Sequence, residues 1–414
     1  MKLIDICRIR VDQRSVDVEE DELATTQSIR HDVIVVGLGA FGSAAFWRLA
    51  ARGVDVGGVE QFALAHGFGS SHGTTRLFRV VCKEHPGLTP IAETSLRLWT
   101  ELSGTAGQVL IEQTGCLNAG PPDDDPVMGT ALASETAGRP VERLSHDELV
   151  RRFPNYGGWG ADDVALWDEA AGICYPERII RAQVAAGEAA GGSAYPGTKI
   201  LGIRRDGDDL VLSTSTVEFR CSRLVLAMGA WLPDFSGAVQ LRVRRTPLYW
   251  FRARPGHEDD CRLDRFPVFI RKMPSGSELW GHGSGDQFGV KIGLWASESF
   301  EYTRADSLDR SIHPETDTRE LSEEVARAFP WIDPTPERVV PCMVTDSPDG
   351  QFVIGPSPDD SAIVLAGGDS AHGFKHSGGL GELVAQIVLA EQLYCDAGFL
   401  DPARFVASPE AVHA

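Results

Sequence analysis

The stretch VPCMVTDSPDGQFVIG (Val340–Gly355) carries near its start a cysteine, Cys342, whose chemistry depends on what lies beside it. A thiol can fill a core, bind a metal or form a covalent bond to a bound group. The Pro-Asp-Gly triplet within the stretch predicts a turn between two strands. Residue type alone favours a buried apolar cysteine, because most cysteines in proteins are buried.

Cationic side chains form a second set of residues that could do chemistry. In SSHGTTRLFR, the spacing of His72, Arg76 and Arg79 is i, i+4 and i+7, which places them on one face if the segment is helical. A solvent-exposed basic face is the ordinary explanation for such spacing. The segment lies between two apolar-rich segments, however, so a buried role for these side chains stays open.

Composition limits the classes of function. The chain has 414 residues, too many for one ordinary core, so two domains are expected. Its 43% hydrophobic and 24% charged residues are typical of a soluble globular protein. The net charge of −20 argues against nucleic acid and anionic membranes, so any anionic ligand needs a local basic cluster. We find no apolar run of ~20 residues and expect no secretion signal. Eight scattered cysteines without metal-ligand spacing predict free thiols, no metal and a cytoplasmic protein.

The element that must position a ligand begins at His31. The apolar run Val33 to Val36 predicts a buried parallel strand, and an amphipathic helix follows to about Arg52. Between them stand glycines suited to a tight turn, to backbone approach to a pyrophosphate and to helix–strand packing: Gly37, Gly39 and Gly42. A second strand ends in Glu60, which can accept hydrogen bonds from a ribose. The pattern predicts dinucleotide binding rather than an incidental glycine turn, but it leaves NAD and FAD open.

Further elements complete an α/β fold of mixed α+β character. A helix is expected from Pro176 to the glycines near residue 192, and three strands with an Asp206–Gly207 turn are expected over 197–231. The last of these strands runs into Gly229, a second place where backbone can close on the nucleotide. Period-2 segments from 241 to 294 predict an antiparallel sheet, a surface helix follows, and a strand, glycine loop and helix to Leu393 return to the first domain. We predict a Rossmann-like nucleotide domain (31–85, 145–235 and 336–400) interrupted by a substrate domain with a mostly antiparallel sheet (86–144 and 236–335), after an N-terminal extension (1–30).

From His31 to about Leu393 the chain resembles the flavin-dependent amine oxidases typified by monomeric sarcosine oxidase and N-methyltryptophan oxidase. The resemblance implies FAD rather than NAD, with the ligand in the crevice between the two domains. The matching motifs, in chain order, are the glycine fingerprint, HGFGSSHGTTRLFR, LVLAMGAW, VKIG, PCMVTDSPDGQFVIG and AGGDSAHGFKHSGGLGE.

The resemblance also assigns roles to single residues. Cys342 falls where the family joins a cysteine sulfur to the flavin 8α-methyl group, and Lys291 matches the lysine that activates oxygen, although a solvent-facing strand lysine is the alternative. His72 and Arg76 fall beside the flavin and are expected, with Lys291, to be catalytic. Arg79 and Lys375 match the cations that bind the substrate carboxylate. Besides the glycine fingerprint, Glu60, Gly229 and Cys342, the residues expected to contact the cofactor are Ser71, Thr75, Arg76, Gly368, Phe374 and Lys375.

Three positions depart from the family pattern. Where the family has a tyrosine, a histidine and a second tyrosine, this chain has Trp280, Trp295 and Val344. Two large aromatic faces replace polar pocket groups, so we expect a substrate bulkier than sarcosine that stacks on the tryptophans or places a cation on them. The alternative is that the tryptophans merely fill volume.

The sequence thus predicts an FAD-dependent oxidase of an N-methyl or cyclic secondary amino acid, which yields an imine and hydrogen peroxide. The expected partners are a small amino acid and molecular oxygen, in a monomer or small homo-oligomer without nucleic acid or membrane. A flavin dehydrogenase that uses another acceptor, and a biosynthetic or non-catalytic relative with a different substrate, remain the alternatives.

Overall fold

A computed structural model describes residues 27–237, 239–285, 289–295 and 302–406. Within them the helices are α1 (Ala40–Ala50), α2 (Thr89–Ala106), α3 (Asp125–Ala137), α4 (His146–Arg152), α5 (Pro176–Ala189), α6 (Pro314–Asp317), α7 (Arg319–Ala328) and α8 (Ser377–Val388). The strands are β1 (Gln27–Arg30), β2 (Val33–Val36), β3 (Val56–Glu60), β4 (Arg76–Phe78), β5 (Ile111–Gln113), β6 (Cys116–Gly120), β7 (Glu142–Leu144), β8 (Val164–Asp168), β9 (Gly172–Cys174), β10 (Ser193–Pro196), β11 (Gly202–Asp206), β12 (Asp209–Ser213), β13 (Val217–Cys221), β14 (Arg223–Leu226), β15 (Arg242–Arg245), β16 (Leu248–Phe251), β17 (Val268–Lys272), β18 (Glu278–His282), β19 (Val290–Trp295), β20 (Tyr302–Thr303), β21 (Arg338–Val340), β22 (Met343–Asp346), β23 (Val353–Pro356) and β24 (Ile363–Gly367).

A six-stranded sheet in the order β10-β3-β2-β14-β24-β23 forms the first layer system. All its pairings are parallel except β23–β24. Every residue of β2 is buried, because helices cover one face of this sheet and a small sheet of β1, β13, β12 and β11 covers the other. Burial on both faces explains why β2 is a continuous apolar run rather than an alternating one.

An eight-stranded sheet in the order β21-β16-β19-β18-β17-β6-β8-β7 forms the second layer system. Its pairings are antiparallel except β17–β6. Apolar side chains of one face pack against α4 and α7, and the opposite face carries Ile270 and Trp280, which border the cavity between the two sheets. The predicted mixed α/β fold, with a mostly antiparallel sheet beside a nucleotide-binding domain, is confirmed.

Several local predictions need correction. The strand–turn–strand of 340–355 forms, but it is not a hairpin, because β22 pairs with β15 while β23 pairs with β24 in another sheet. Four strands, not three, occupy 197–231, since Ser222 separates β13 from β14. Residues 27–30 are not part of a tail, because β1 pairs in parallel with β13. The remainder of the predicted extension lies outside the described residues.

The predicted domain boundaries cut across the packing of several elements. Helix α2, assigned to the substrate domain, packs against α8 and contributes Ile91 and Ala92 to the core beneath the nucleotide sheet. Strands β8 and β21, assigned to the nucleotide domain, are strands of the eight-stranded sheet. None of the described helices is long and apolar enough to cross a membrane.

Candidate active site

An elongated cavity runs from the carboxyl ends of β2, β3, β14 and β24 to the face of the eight-stranded sheet. This is the edge at which open parallel sheets bind ligands. Most of the predicted site residues line it: Gly37, Gly39, Glu60, Ser71, Arg76, Arg79, Gly229, Trp280, Trp295, Cys342, Val344, Gly368, Phe374 and Lys375. Four others, which lie behind its wall, are Gly42, His72, Thr75 and Lys291.

The glycine turn has the geometry that a dinucleotide needs. Gly37 has φ +89°, and a Cβ there would lie 2.5 Å from the carbonyl oxygen of Ala227. A Cβ on Gly42 would overlap the backbone of Gly37, so the third glycine allows α1 to pack close to β2. The carboxylate of Glu60 lies at the end of β3, where it accepts hydrogen bonds from the backbone N–H groups of Leu38 and Phe62, both at 2.9 Å.

Segment 70–76 closes over the N-terminus of α1. The hydroxyl of Ser71 accepts a hydrogen bond from Ala40 N at 3.1 Å, and the buried hydroxyl of Ser70 has no partner among the described residues. Ser71 and the start of α1 both line the cavity. Because the first N–H groups of a helix attract anions, this end of the cavity suits a pyrophosphate.

The basic residues of this segment are not on a helix face. Gly73 and Thr74 have φ of +102° and +63°, and β4 then pairs with β9 so that Arg76 lies opposite Cys174. These left-handed residues and the strand pairing exclude the helix that the i, i+4, i+7 spacing permitted. Arg76 is held instead by the carbonyls of Thr75 and Ser70, each at 3.0 Å.

Cys342 lies on the cavity wall beside Arg76. Its sulfur is 3.9 Å from an Nη of Arg76, and the residue is 4% exposed. Burial raises the pKa of the Cys342 thiol, while the Arg76 charge acts in the opposite direction. The Cys342 sulfur therefore lines the cavity beside a guanidinium that favours the thiolate, while burial, the larger effect, opposes it.

Lys291 and His282 hold segment 70–76 through hydrogen bonds. The Lys291 ammonium donates hydrogen bonds to the carbonyls of Gly73 and Thr75 at 2.7 and 2.8 Å, and it lies 4.7 Å from the centroid of the Trp250 ring. The Thr75 hydroxyl lies 3.0 Å from Nε2 of His282. Lys291 is therefore a buried strand lysine rather than the solvent-facing one that the sequence left open.

His72 is neutral in this environment. It is 5% exposed, and its Nε2 has no hydrogen-bond partner among the described residues. Burial, followed by the charges of Arg76 and Lys291, lowers the pKa of His72 to about 3. An imidazole with such a pKa carries no charge near pH 7, so it acts as a polar neutral group behind the cavity wall.

Arg79 and Lys375 come together at the cavity wall, and Glu84 lies between them. The Glu84 carboxylate forms an ion pair with Arg79 and lies 3.7 Å from the Lys375 ammonium, which also donates to the His372 carbonyl at 3.0 Å. Burial alone would raise the pKa of Glu84, but Arg79 and Lys375 hold it well below its usual range. One Nη of Arg79 and one oxygen of Glu84 have no partner among the described residues. The Nη of Arg79 can therefore donate a hydrogen bond to a further anion.

Two tryptophans also line the cavity. Trp280 lies across from Gly293, and a Cβ on Gly293 would overlap the Trp280 ring, so the indole lies flat over the glycine. Trp295 and Val344 also line the cavity, the valine from β22. The three departures from the family pattern are therefore gathered on one cavity.

Sequence reasoning missed two carboxyl groups in this site. Glu84 follows Arg79 by five residues, and an acidic residue so close to a predicted cation cluster was a usable signal. Asp369 lines the cavity and accepts hydrogen bonds from the backbone N–H groups of Thr345 at 3.2 Å and Ala371 at 3.1 Å. Burial raises the pKa of Asp369 to about 6, and no local pattern in the sequence predicts that environment.

Comparisons with known proteins agree with this geometry. Residues 32–387 match the model of the FAD dependent oxidoreductase family. A monomeric sarcosine oxidase of Streptomyces avermitilis is 30% identical over 387 residues, covering 92% of this chain and 99% of that protein. An N-methyl-L-tryptophan oxidase of Escherichia coli is 24% identical over 374 residues, covering 86% of this chain and 94% of that protein. Among solved structures, NikD, an unusual amino acid oxidase essential for nikkomycin biosynthesis, superposes with a TM-score of 0.76 at 22% identity, covering 90% and 98% of the two chains.

The fold and the cavity therefore define a flavin-dependent oxidoreductase. The chain belongs to the FAD-dependent oxidoreductase family, and its sequence relatives are amino-acid-directed oxidases, as the motif resemblance predicted.

The residues present fit FAD. The glycine turn leaves room for backbone to approach a pyrophosphate, the N-terminus of α1 opens into the cavity, and the Glu60 carboxylate has lone pairs beyond the two that its backbone partners use. These features line the same cavity as Arg79 and Lys375.

Proposed function

We propose that this protein oxidises the carbon–nitrogen bond of an N-methyl or cyclic secondary amino acid bulkier than sarcosine, with imine and hydrogen peroxide as products. The observation that carries this proposal is the cluster of two buried cations, Arg79 and Lys375, at the wall of a cavity shaped for FAD.

In this proposal the substrate carboxylate binds between Arg79 and Lys375. The free Nη of Arg79 supports this role, because a buried donor without a partner is costly until a ligand satisfies it. Two cations and the single carboxylate of Glu84 leave a local excess of positive charge within a chain of net charge −20. A carboxylate held there fixes the position of the substrate amine relative to the cavity.

FAD would be held by the backbone of the 37–42 turn, by Glu60 and by the 368–375 loop, and covalently through Cys342. When bound, FAD supplies the two-electron acceptor for the amine and transfers these electrons to oxygen. The substrate nitrogen must be neutral to react. The site favours the deprotonated amine, because His72 is uncharged and the nearest cations face the carboxylate. Lys291 would provide the fixed positive charge that favours the reduction of oxygen.

The walls of the cavity argue for a bulky substrate. The cavity wall at Trp280, Trp295 and Val344 is apolar. A small zwitterion would need polar side chains at these positions to bind it by hydrogen bonds. Stacking on an indole favours an aromatic or ring-containing substrate, because such pairs gain roughly 0.5–1.5 kcal/mol beyond area burial.

A panel of secondary amino acids tests the proposal. Anaerobic addition of a true substrate is expected to bleach the flavin absorption, and re-aeration is expected to yield one hydrogen peroxide per bleached flavin. N-methyl and cyclic amino acids with aromatic groups should bleach faster than sarcosine. Bleaching without peroxide would favour a dehydrogenase, and no bleaching by any member, with tight binding of some, would favour a non-catalytic relative.

A further inference from the structure

Lys83 is a buried cation for which the proposed function gives no role. Its side chain is 5% exposed, and its ammonium lies 2.8 and 3.0 Å from the two carboxylate oxygens of Glu278, itself 10% exposed. Asp125, whose side chain is 66% exposed, is the second partner. A buried ion pair contributes little net stability, because desolvation offsets most of the attraction. The role of this ion pair therefore depends on the neighbouring side chains that it positions.

Trp295 is that neighbour. Glu278 lies directly opposite Trp295 on the adjacent strands β18 and β19, so their side chains leave the same face of the sheet. The Lys83 ammonium lies 5.7 Å from the centroid of the Trp295 ring, within the range of a cation–π contact. Glu278 thus holds the cation against the indole, and the indole lines the cavity.

The second wall residue is on the same face. Trp280 is two residues from Glu278 on β18, so both side chains point toward the cavity side. Lys83 also precedes Glu84 of the cation cluster, and a single short segment therefore contacts both the carboxylate-binding end and the tryptophan wall.

We propose that Lys83, held by Glu278, is a positioning residue that fixes Trp295 as a rigid wall for the part of the substrate remote from its carboxylate. This inference rests on the proposed function. It also narrows the substrate class. Because the ring already binds one ammonium, it attracts a second cation less than a free indole does, so the group that stacks on Trp295 is flat and uncharged. The sequence left open whether the substrate stacks on the tryptophans or places a cation on them, and the Lys83 contact favours stacking.

Unreactive carboxylates bound to the flavin-loaded protein test this inference. Acetate uses only the cation cluster, phenylacetate adds a flat neutral ring, and 4-(aminomethyl)phenylacetate adds the same ring with a cation. Dissociation constants come from the change in flavin absorption on titration. In Lys83→Met, binding of phenylacetate is expected to weaken about five- to tenfold, the size of one cation–π contact, while acetate changes by less than about twofold. The cationic ring should bind more weakly than phenylacetate in the wild type, and that difference should shrink in Lys83→Met.

Two further variants separate positioning from general loosening. Asp125→Asn, which removes the exposed partner of the same lysine, is expected to change all three affinities by less than about twofold. In a double-mutant cycle, Lys83→Met should have no further effect on phenylacetate once Trp295→Leu is present.

Equal weakening of acetate and phenylacetate, or additive effects in the cycle, would overturn the inference. If Lys83→Met does not yield flavin-loaded protein, Glu278→Gln gives the same comparison. A wild-type protein whose flavin spectrum does not respond to acetate would overturn the cation cluster of the proposed function instead, so the two failures are distinguishable.

Discussion

Replacing Glu84 by glutamine tests the electrostatics of the cation cluster. The carboxylate is paired with Arg79 and lies 3.7 Å from Lys375, and its side chain is 9% exposed. Glu84→Gln keeps the shape and removes the charge. In the free protein the two cations then face each other without compensation, and breaking a buried ion pair costs about 3–5 kcal/mol. We expect a lower midpoint of thermal unfolding without ligand.

The same substitution should strengthen the binding of a carboxylate. A ligand carboxylate that shares the two cations with Glu84 lies about 5 Å from it, where Coulomb repulsion at an effective dielectric constant of about 20 is about 3 kcal/mol. Removal of that repulsion, reduced by relaxation of the site, predicts binding of acetate about 10- to 100-fold tighter. Acetate should also restore most of the lost thermal stability, because the ligand replaces the missing charge.

The assays are flavin absorption titration with acetate and thermal unfolding with and without it. Glu101→Gln is the matched control, since Glu101 is an exposed carboxylate that pairs with Arg97 on α2 at 3.1 Å. Acetate binding that is unchanged or weaker in Glu84→Gln would refute the view that Glu84 and the ligand compete for the same cations.

Three other outcomes are expected. Cys342→Ser should release all yellow colour from the polypeptide on acid denaturation, whereas the wild type should keep it; colour that stays with Cys342→Ser would exclude a tether at this thiol. Lys291→Met should slow peroxide formation about 100-fold, the loss typical of removing one preorganised electrostatic group, while anaerobic bleaching changes far less. An equal loss in both steps would indicate only that segment 73–75 collapses, because the Lys291 ammonium binds its carbonyls. Burial lowers the pKa of Lys375, so carboxylate binding should be strong at low pH and be lost as pH rises through that lowered pKa, below the range of free lysine. Lys375→Arg should move this loss to higher pH, and a pH profile identical to the wild type would assign the titration to another group.

Local signals in the sequence were sufficient for the nucleotide half of the fold. The glycine turn, the apolar run of β2 and the proline at the start of α5 are each decided by residues next to one another, so they could be read without tertiary information. The strands of 340–355 show the limit. Their turn was predictable from local residues. The sheet that each strand joins was not, because it depends on pairing with β15 for one strand and with β24 for the other, and the residue pattern does not show which strands pair.

Glu84 in the candidate site shows the same difference between local signals and tertiary contacts. Motif matching identified Arg79 and Lys375 separately, because each lies in a recognisable segment, but no motif states that a carboxylate from residue 84 lies between them. That contact requires the chain to turn back within five residues of Arg79 and the 374–376 turn to pack near β4. The net charge of −20 does not predict this cluster, since a sum over the whole chain does not show where a local excess of positive charge lies. A chain this acidic can bind an anion because the two cations are buried together, where solvent screens their charges little. The distant surface charges interact with the bound anion more weakly than a single carboxylate at contact distance does.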